Sequence, residues 1–211
     1  SVTAIRDDVG AITGTVASGG VTDDTSLVVS GTLSTGLITG ERVRIYDGSS
    51  YLGDATVSGT SWTYADSRTL TDGQSVSYTA RVSDPAGNVS PVSPALALTV
   101  DTAAPAAPAA ITGYADDIGR ITNPNSTAPV TDDNRPGFNV GTGLTDTPSL
   151  YVDGVKVPAT YDPVTGTLTP TTPLGDGVHQ FTTTLTDAAG NESPQSAALP
   201  LTVDTAAPAA P

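Results

Sequence analysis

The nine residues VDTAAPAAP stand at 100–108 and again at 203–211. A repeat of this kind constrains the fold more than any other feature, because two homologous units must each bury their own core. Other blocks recur in the same order. DDVG at 7–10 and VTDD at 21–24 match DDIG at 116–119 and VTDD at 130–133, both 109 residues on. DPAGN at 84–88 matches DAAGN at 187–191, 103 residues on. The drift in offset places small deletions in loops of the second unit. The expected organisation is a first domain at 1–101, a Pro/Ala linker at 102–109, a second domain at 110–204 and the start of a further linker at 205–211. The linker, rich in Pro, reads as short, extended and fairly stiff.

Within a unit the apolar residues recur with a period of two. Segments 26–32, 41–47, 50–57, 60–65, 75–83 and 95–101 read as strands, divided by DG, SG and PAGN turns. The stretch before Asp7 supplies a seventh, and the acids between Asp8 and Leu27 fall in one long loop. Helix is disfavoured: twenty of the 22 acids are Asp, with 22 Gly and 17 Pro in 211 residues. Seven short strands predict an all-β chain of two tandem immunoglobulin-like β-sandwiches, although jelly-roll or fibronectin-like connectivity shares the pattern. With no Cys there is no inter-sheet disulfide, so aliphatic residues and Trp62 or Tyr78 fill that space. The second unit lacks the Trp, and its replacement at 150–168 alternates as a hairpin does.

The net charge of −14 leaves no electrostatic route to nucleic acid or an anionic membrane. No apolar run is long enough to insert in a bilayer, no signal peptide opens the chain, and the missing initiator Met reads as an internal piece of something longer. Catalysis has little to work with: one histidine, His179, falls at an ordinary surface position of an alternating strand, and no thiol accompanies it. The chain is expected not to be an enzyme. Trp62, in a strand with Tyr64 on the same face, reads as core rather than as a sugar-stacking platform.

The paired aspartates carry the chemistry. Asp7, Asp8, Asp23 and Asp24 recur as Asp116, Asp117, Asp132 and Asp133. Both pairs flank the loop between the first two predicted strands, at the pole where the last strand leaves beside Asp101 and the Asp72 loop. Four like charges so close call for a cation, and Ca²⁺ takes six to eight such oxygens. Asp84 with Asn88, and Asp187 with Asn191, read first as structural turns. The alternative, that Asp187 joins Asp101 as a calcium ligand at a junction, stays open.

The full order of blocks, DDVG, GGVTDDT, SGT, VRIYDG, LTDG, ARVSDPAGNVSPVS and LTVDTAAPAAP, resembles the bacterial Ig-like repeats of giant type-I-secreted RTX-type adhesins and biofilm-associated surface proteins. The resemblance implies an extracellular, cell-surface extender, monomeric, whose partners are neighbouring repeats of the same chain and whose junctions calcium stiffens. Carbohydrate- or protein-binding modules and accessory domains of a secreted enzyme are the alternatives.

Overall fold

A computed structural model describes residues 1–210. It divides into two compact units, Ser1–Ala103 and a second built from Ala104–Asp187 with the segment from Glu192 onward. The first holds β1 (Val2–Asp7), β2 (Gly14–Val16), β3 (Gly20–Thr22), β4 (Val28–Thr32), β5 (Arg42–Asp47), β6 (Ser50–Asp54), β7 (Thr56–Ser58), β8 (Ser61–Ala65), β9 (Ser75–Ser83) and β10 (Leu96–Val100). Two five-stranded sheets result, ordered β2-β1-β4-β8-β7 and β3-β10-β9-β5-β6. The second unit repeats the plan with β11 (Tyr114–Asp116), β12 (Asn123–Ser126), β13 (Val130–Thr131), β14 (Gly137–Asn139), β15 (Thr147–Val152), β16 (Val155–Val157), β17 (Ala159–Asp162), β18 (Thr167–Pro170), β19 (Gly177–Thr186) and β20 (Leu199–Val203). Its sheets run β12-β11-β14-β18-β17 and β13-β20-β19-β15-β16. Both are all-β sandwiches of immunoglobulin-like type.

Two details depart from the expected seven strands. The long loop between Asp8 and Leu27 contains β2, antiparallel to β1, and β3, parallel to β10. The segment thus crosses from one sheet to the other, and strands of three residues leave too short an alternation to detect. The expected strand 50–57 breaks at Ala55, where β6 ends on the β5 edge and β7 begins on the β8 edge. Each such switch covers a sheet edge, which limits edge-to-edge association.

The two cores place their bulk differently. In the first, Trp62 is 1% exposed and lies across the ladder from Gly31, where any Cβ would collide with the indole. In the second, the residue 109 positions after Gly31 is Val140, and its amide bonds the carbonyl of Gly166 at 2.9 Å. The lost indole volume returns one pair along: Phe138 replaces Val29, opposite Leu168 and against Phe181, with ring centroids 4.3 Å apart. Packing density is thereby kept while the residues change. The core reading of Trp62 holds. The hairpin at 150–168 also forms: β15 and β16 are joined by Asp153 (φ 52°) and Gly154 (φ 80°), the paired positive φ of a type I′ turn.

Candidate metal site at the exit pole

Each unit gathers its aspartate doublets at one end by the same bonds. In the first, Asp7 closes β1 and accepts from the Thr22 hydroxyl (2.6 Å) and the Val9 amide (3.0 Å). Thr22 Oγ1 accepts from the Asp24 amide at 3.2 Å, and Asp24 Oδ1 accepts from the Ser26 amide at 2.7 Å. Gly10 (φ +66°) lets the loop lie against Asp23, whose carboxylate a Cβ there would strike. Asp7 and Asp24 are buried, while Asp8 is exposed and Asp23 half-buried. These are Asx turns locked by a threonine, in which the carboxylates replace ladder partners for backbone amides.

The second unit reproduces the lock. Thr131 Oγ1 donates to Asp116 at 3.1 Å and accepts from the Asp133 amide at 3.0 Å, and Asp133 Oδ1 accepts from Arg135 at 2.7 Å. Gly119 (φ +79°) lies against Asp132 as Gly10 does against Asp23. Asp116 Oδ1 and Asp133 Oδ2 are buried with no hydrogen-bond partner among the described residues. Burial pushes the Asp133 carboxyl above its ordinary range, the Arg135 and Asp117 amides offset part of this, and the charges of Asp117 and Asp116 add to the rise. Asp117 and Asp132 are exposed above them.

The chain's exit is tied to the same pole. The Asp101 amide donates to Thr22 O at 2.8 Å, Asp101 Oδ1 accepts from Ala103 at 3.2 Å, and Asp72 Oδ1 accepts from the Thr102 amide at 2.8 Å. Asp204, Thr131, Ala206, Asp176 and Thr205 repeat this pattern in the second unit. Asp101 thus sits beside the doublets of its own unit, as the sequence implies. Asp187 directly follows β19, at the end of that strand away from Asp176. Asp84 holds a closed turn, accepting from the Asn88 amide (2.8 Å) and side-chain amide (2.7 Å).

As the side chains stand, no three or more His, Cys, Asp or Glu among the described residues converge as a metal cage. The donor set is nonetheless all oxygen, anionic and partly unsatisfied, which fits a hard divalent cation rather than a softer one.

Sequence reasoning missed two polar networks. Asp66, its side chain fully buried, accepts from Arg68 (2.7 Å from Nη2) and from the Tyr78 hydroxyl (2.6 Å), and Arg68 also bonds Asp47 at 2.9 Å. Burial works against the Asp66 charge, yet the Arg68 and Tyr78 bonds outweigh it and hold the carboxyl below its usual range. His179 is no ordinary surface residue: Nδ1 lies 2.8 Å from Asp153 and Nε2 2.9 Å from Gly175 O. The hydrogen bond to Asp153, then that to Gly175, raises its pKa.

A family model described as bacterial Ig-like domain matches residues 1–102 and again 110–205. The chain belongs to that family. Bacterial Ig-like domains are typically non-catalytic and typical of surface and extracellular proteins. No helix among the described residues is long and apolar enough to cross a membrane. Among solved structures, the chain is similar to the fibronectin(III)-like modules of CbhA from Clostridium thermocellum. That similarity is at 12% identity and a TM-score of 0.50, covering 96% of this chain and 94% of that one, and it supports the fold alone. No curated protein matches the chain significantly.

Proposed function

We propose that this pair of bacterial Ig-like domains is a structural extender of an RTX-type or biofilm-associated adhesin. It would stand on the bacterial cell surface as a monomer, with the same chain's other repeats as its neighbours and no catalytic role. The observation that carries this reading is the doubled pole. In both units the exiting chain is pinned by the same backbone bonds to a threonine between two aspartate doublets. A repeat that ties its exit to its own body transmits direction to whatever follows, which is what an extender requires.

We infer further that calcium acts at these poles. Asp7, Asp8, Asp23 and Asp24, with Asp101, would hold it in the first unit, and Asp116, Asp117, Asp132 and Asp133 in the second. The unpartnered oxygens of Asp116 and Asp133 support this more strongly for the second unit. The cation would supply neutralising charge, while the Thr22 and Thr131 locks keep the loops in place. The test is small-angle scattering of the whole chain in chelator and in ~10 mM calcium. A longer, narrower particle with calcium is expected; unchanged dimensions would contradict the stiffening role.

A further inference from the structure

Three of the chain's seven arginines stand together on the first unit, in a molecule with a net charge of −14. Arg42 and Arg44 alternate on β5 with the buried Val43 and Ile45, so both face outward. Arg81 on β9 lies directly opposite Arg44 in the ladder. Like charges opposite one another in a sheet are destabilising, so folding gives no reason for this pair. One acid serves the group: Asp54 is 3.2 Å from Arg42 and 3.9 Å from Arg44, and also accepts from the Tyr51 hydroxyl at 2.7 Å. Arg81 has no ion pair or hydrogen bond through its side chain among the described residues, and the buried Arg44 Nε has no hydrogen-bond acceptor. Beside them Tyr46 and Tyr51 pack at 5.6 Å between ring centroids, with the Arg44 guanidinium 5.4 Å from the half-exposed Tyr51 ring.

The second unit shows that the fold does not need this arrangement. In the matching register Ser149 faces Thr184, and Thr184, Tyr151 and Lys156 all donate to Glu192. A charge-balanced, internally bonded network stands where the first unit sets three arginines around one acid. A local rule broken in one repeat and kept in the other points to a ligand rather than to packing.

We propose that the outer β9-β5-β6 face of the first unit binds an acidic polysaccharide, one whose sugars carry carboxylates. Paired guanidinium groups recognise a carboxylate through parallel N–H bonds, and the tyrosines offer ring surface and hydroxyls to the sugar. Charge geometry selects a thin polymer over a folded partner. The first unit as a whole has six more acids than bases, so a protein covering the usual ~800 Å² of one side would meet carboxylates with carboxylates. A narrow glycan chain meets the arginines alone.

The test is calorimetric titration of the whole 211-residue chain with oligogalacturonate, with cello-oligosaccharide and polyglutamate as comparisons. Binding of oligogalacturonate that weakens in high salt, with neither comparison binding comparably, is expected. Arg44→Ser with Arg81→Thr, the second unit's own residues, should weaken it at least tenfold while leaving the melting temperature unchanged or higher. The proposal is overturned if oligogalacturonate does not bind at millimolar concentration, or if the folded double variant binds as well as the parent. It is also overturned if polyglutamate binds equally, which would reduce the patch to charge alone, or if the neutral glycan does.

Discussion

The two units share a topology and a pole, yet they distribute polarity in opposite ways. The first encloses a charged network, Asp66–Arg68–Asp47 with the Tyr78 hydroxyl, and satisfies both oxygens of Asp7 at its pole. The second has Phe181 where the first has Tyr78, stacks it on Phe138, and gives Asp116 Oδ1 and Asp133 Oδ2 no hydrogen-bond donor among the described residues. The fold is therefore indifferent to how its central space is filled. What both units retain is the threonine lock between the doublets and the pinned exit strand.

The largest effects should come from the cores. Trp62→Ala should lower the first unit's stability by ~3–5 kcal/mol, and Phe138→Ala should do the same in the second. If the bulk has moved as described, each variant affects its own melting transition and leaves the other in place. A shift of both by calorimetry would break the comparison. Next in size is Arg68→Ala, which strands the buried Asp66 carboxylate and should cost roughly 3 kcal/mol near neutral pH. Because the folded Asp66 pKa lies below its unfolded value, the network's contribution is present above about pH 4 and is lost as pH falls through the folded value. The penalty of the variant should therefore shrink in acid; a penalty independent of pH would refute the assignment.

Asp133→Asn sharpens the contrast at the poles. The Asp133 pKa is raised in the folded state, so ionisation works against folding once pH exceeds the unfolded value, fully so above the folded one. In chelator the variant should melt several degrees higher, the scale of ~1 kcal/mol in a hundred-residue domain, and should respond less to calcium. A lower melting temperature in chelator would show that the carboxylate is already paid for by partners within the fold. The smallest effect belongs to His179. Its raised pKa means that the bonds to Asp153 and Gly175 contribute fully below about pH 6.5 and fade as pH rises through the folded value. Thermal melts between pH 6 and 9 should show this slope in the second unit and lose it in His179→Ala.

Much of this was legible in the sequence, for identifiable reasons. The long strands β5, β9 and β10 alternate over five residues or more, so their faces and the buried Val43, Ile45 and Tyr78 follow from period two. The doublets announce themselves by recurrence, and their place beside Asp101 follows from strand order. The strands β2 and β3 do not, because pairing rather than pattern defines a three-residue strand. The Thr22 and Thr131 locks, the Arg68 bridge and the His179 contacts join residues distant in sequence or differing between repeats, where no local period speaks. The opposed Arg44 and Arg81 required the register itself.

The acid doublets, proposed above as a cation-binding pole, leave two buried oxygens of Asp116 and Asp133 without a hydrogen-bond partner among the described residues. Differential scanning calorimetry of the whole chain tests that proposal directly, in chelator and in ~10 mM calcium. Extracellular calcium sites commonly have dissociation constants of ~10⁻⁴–10⁻³ M, so at ten times that constant a site adds about 1.4 kcal/mol. Calcium should raise the second unit's transition by several degrees, more than the first, and Asp116→Asn with Asp133→Asn should remove the difference. Transitions that coincide in chelator and in calcium would contradict the proposal.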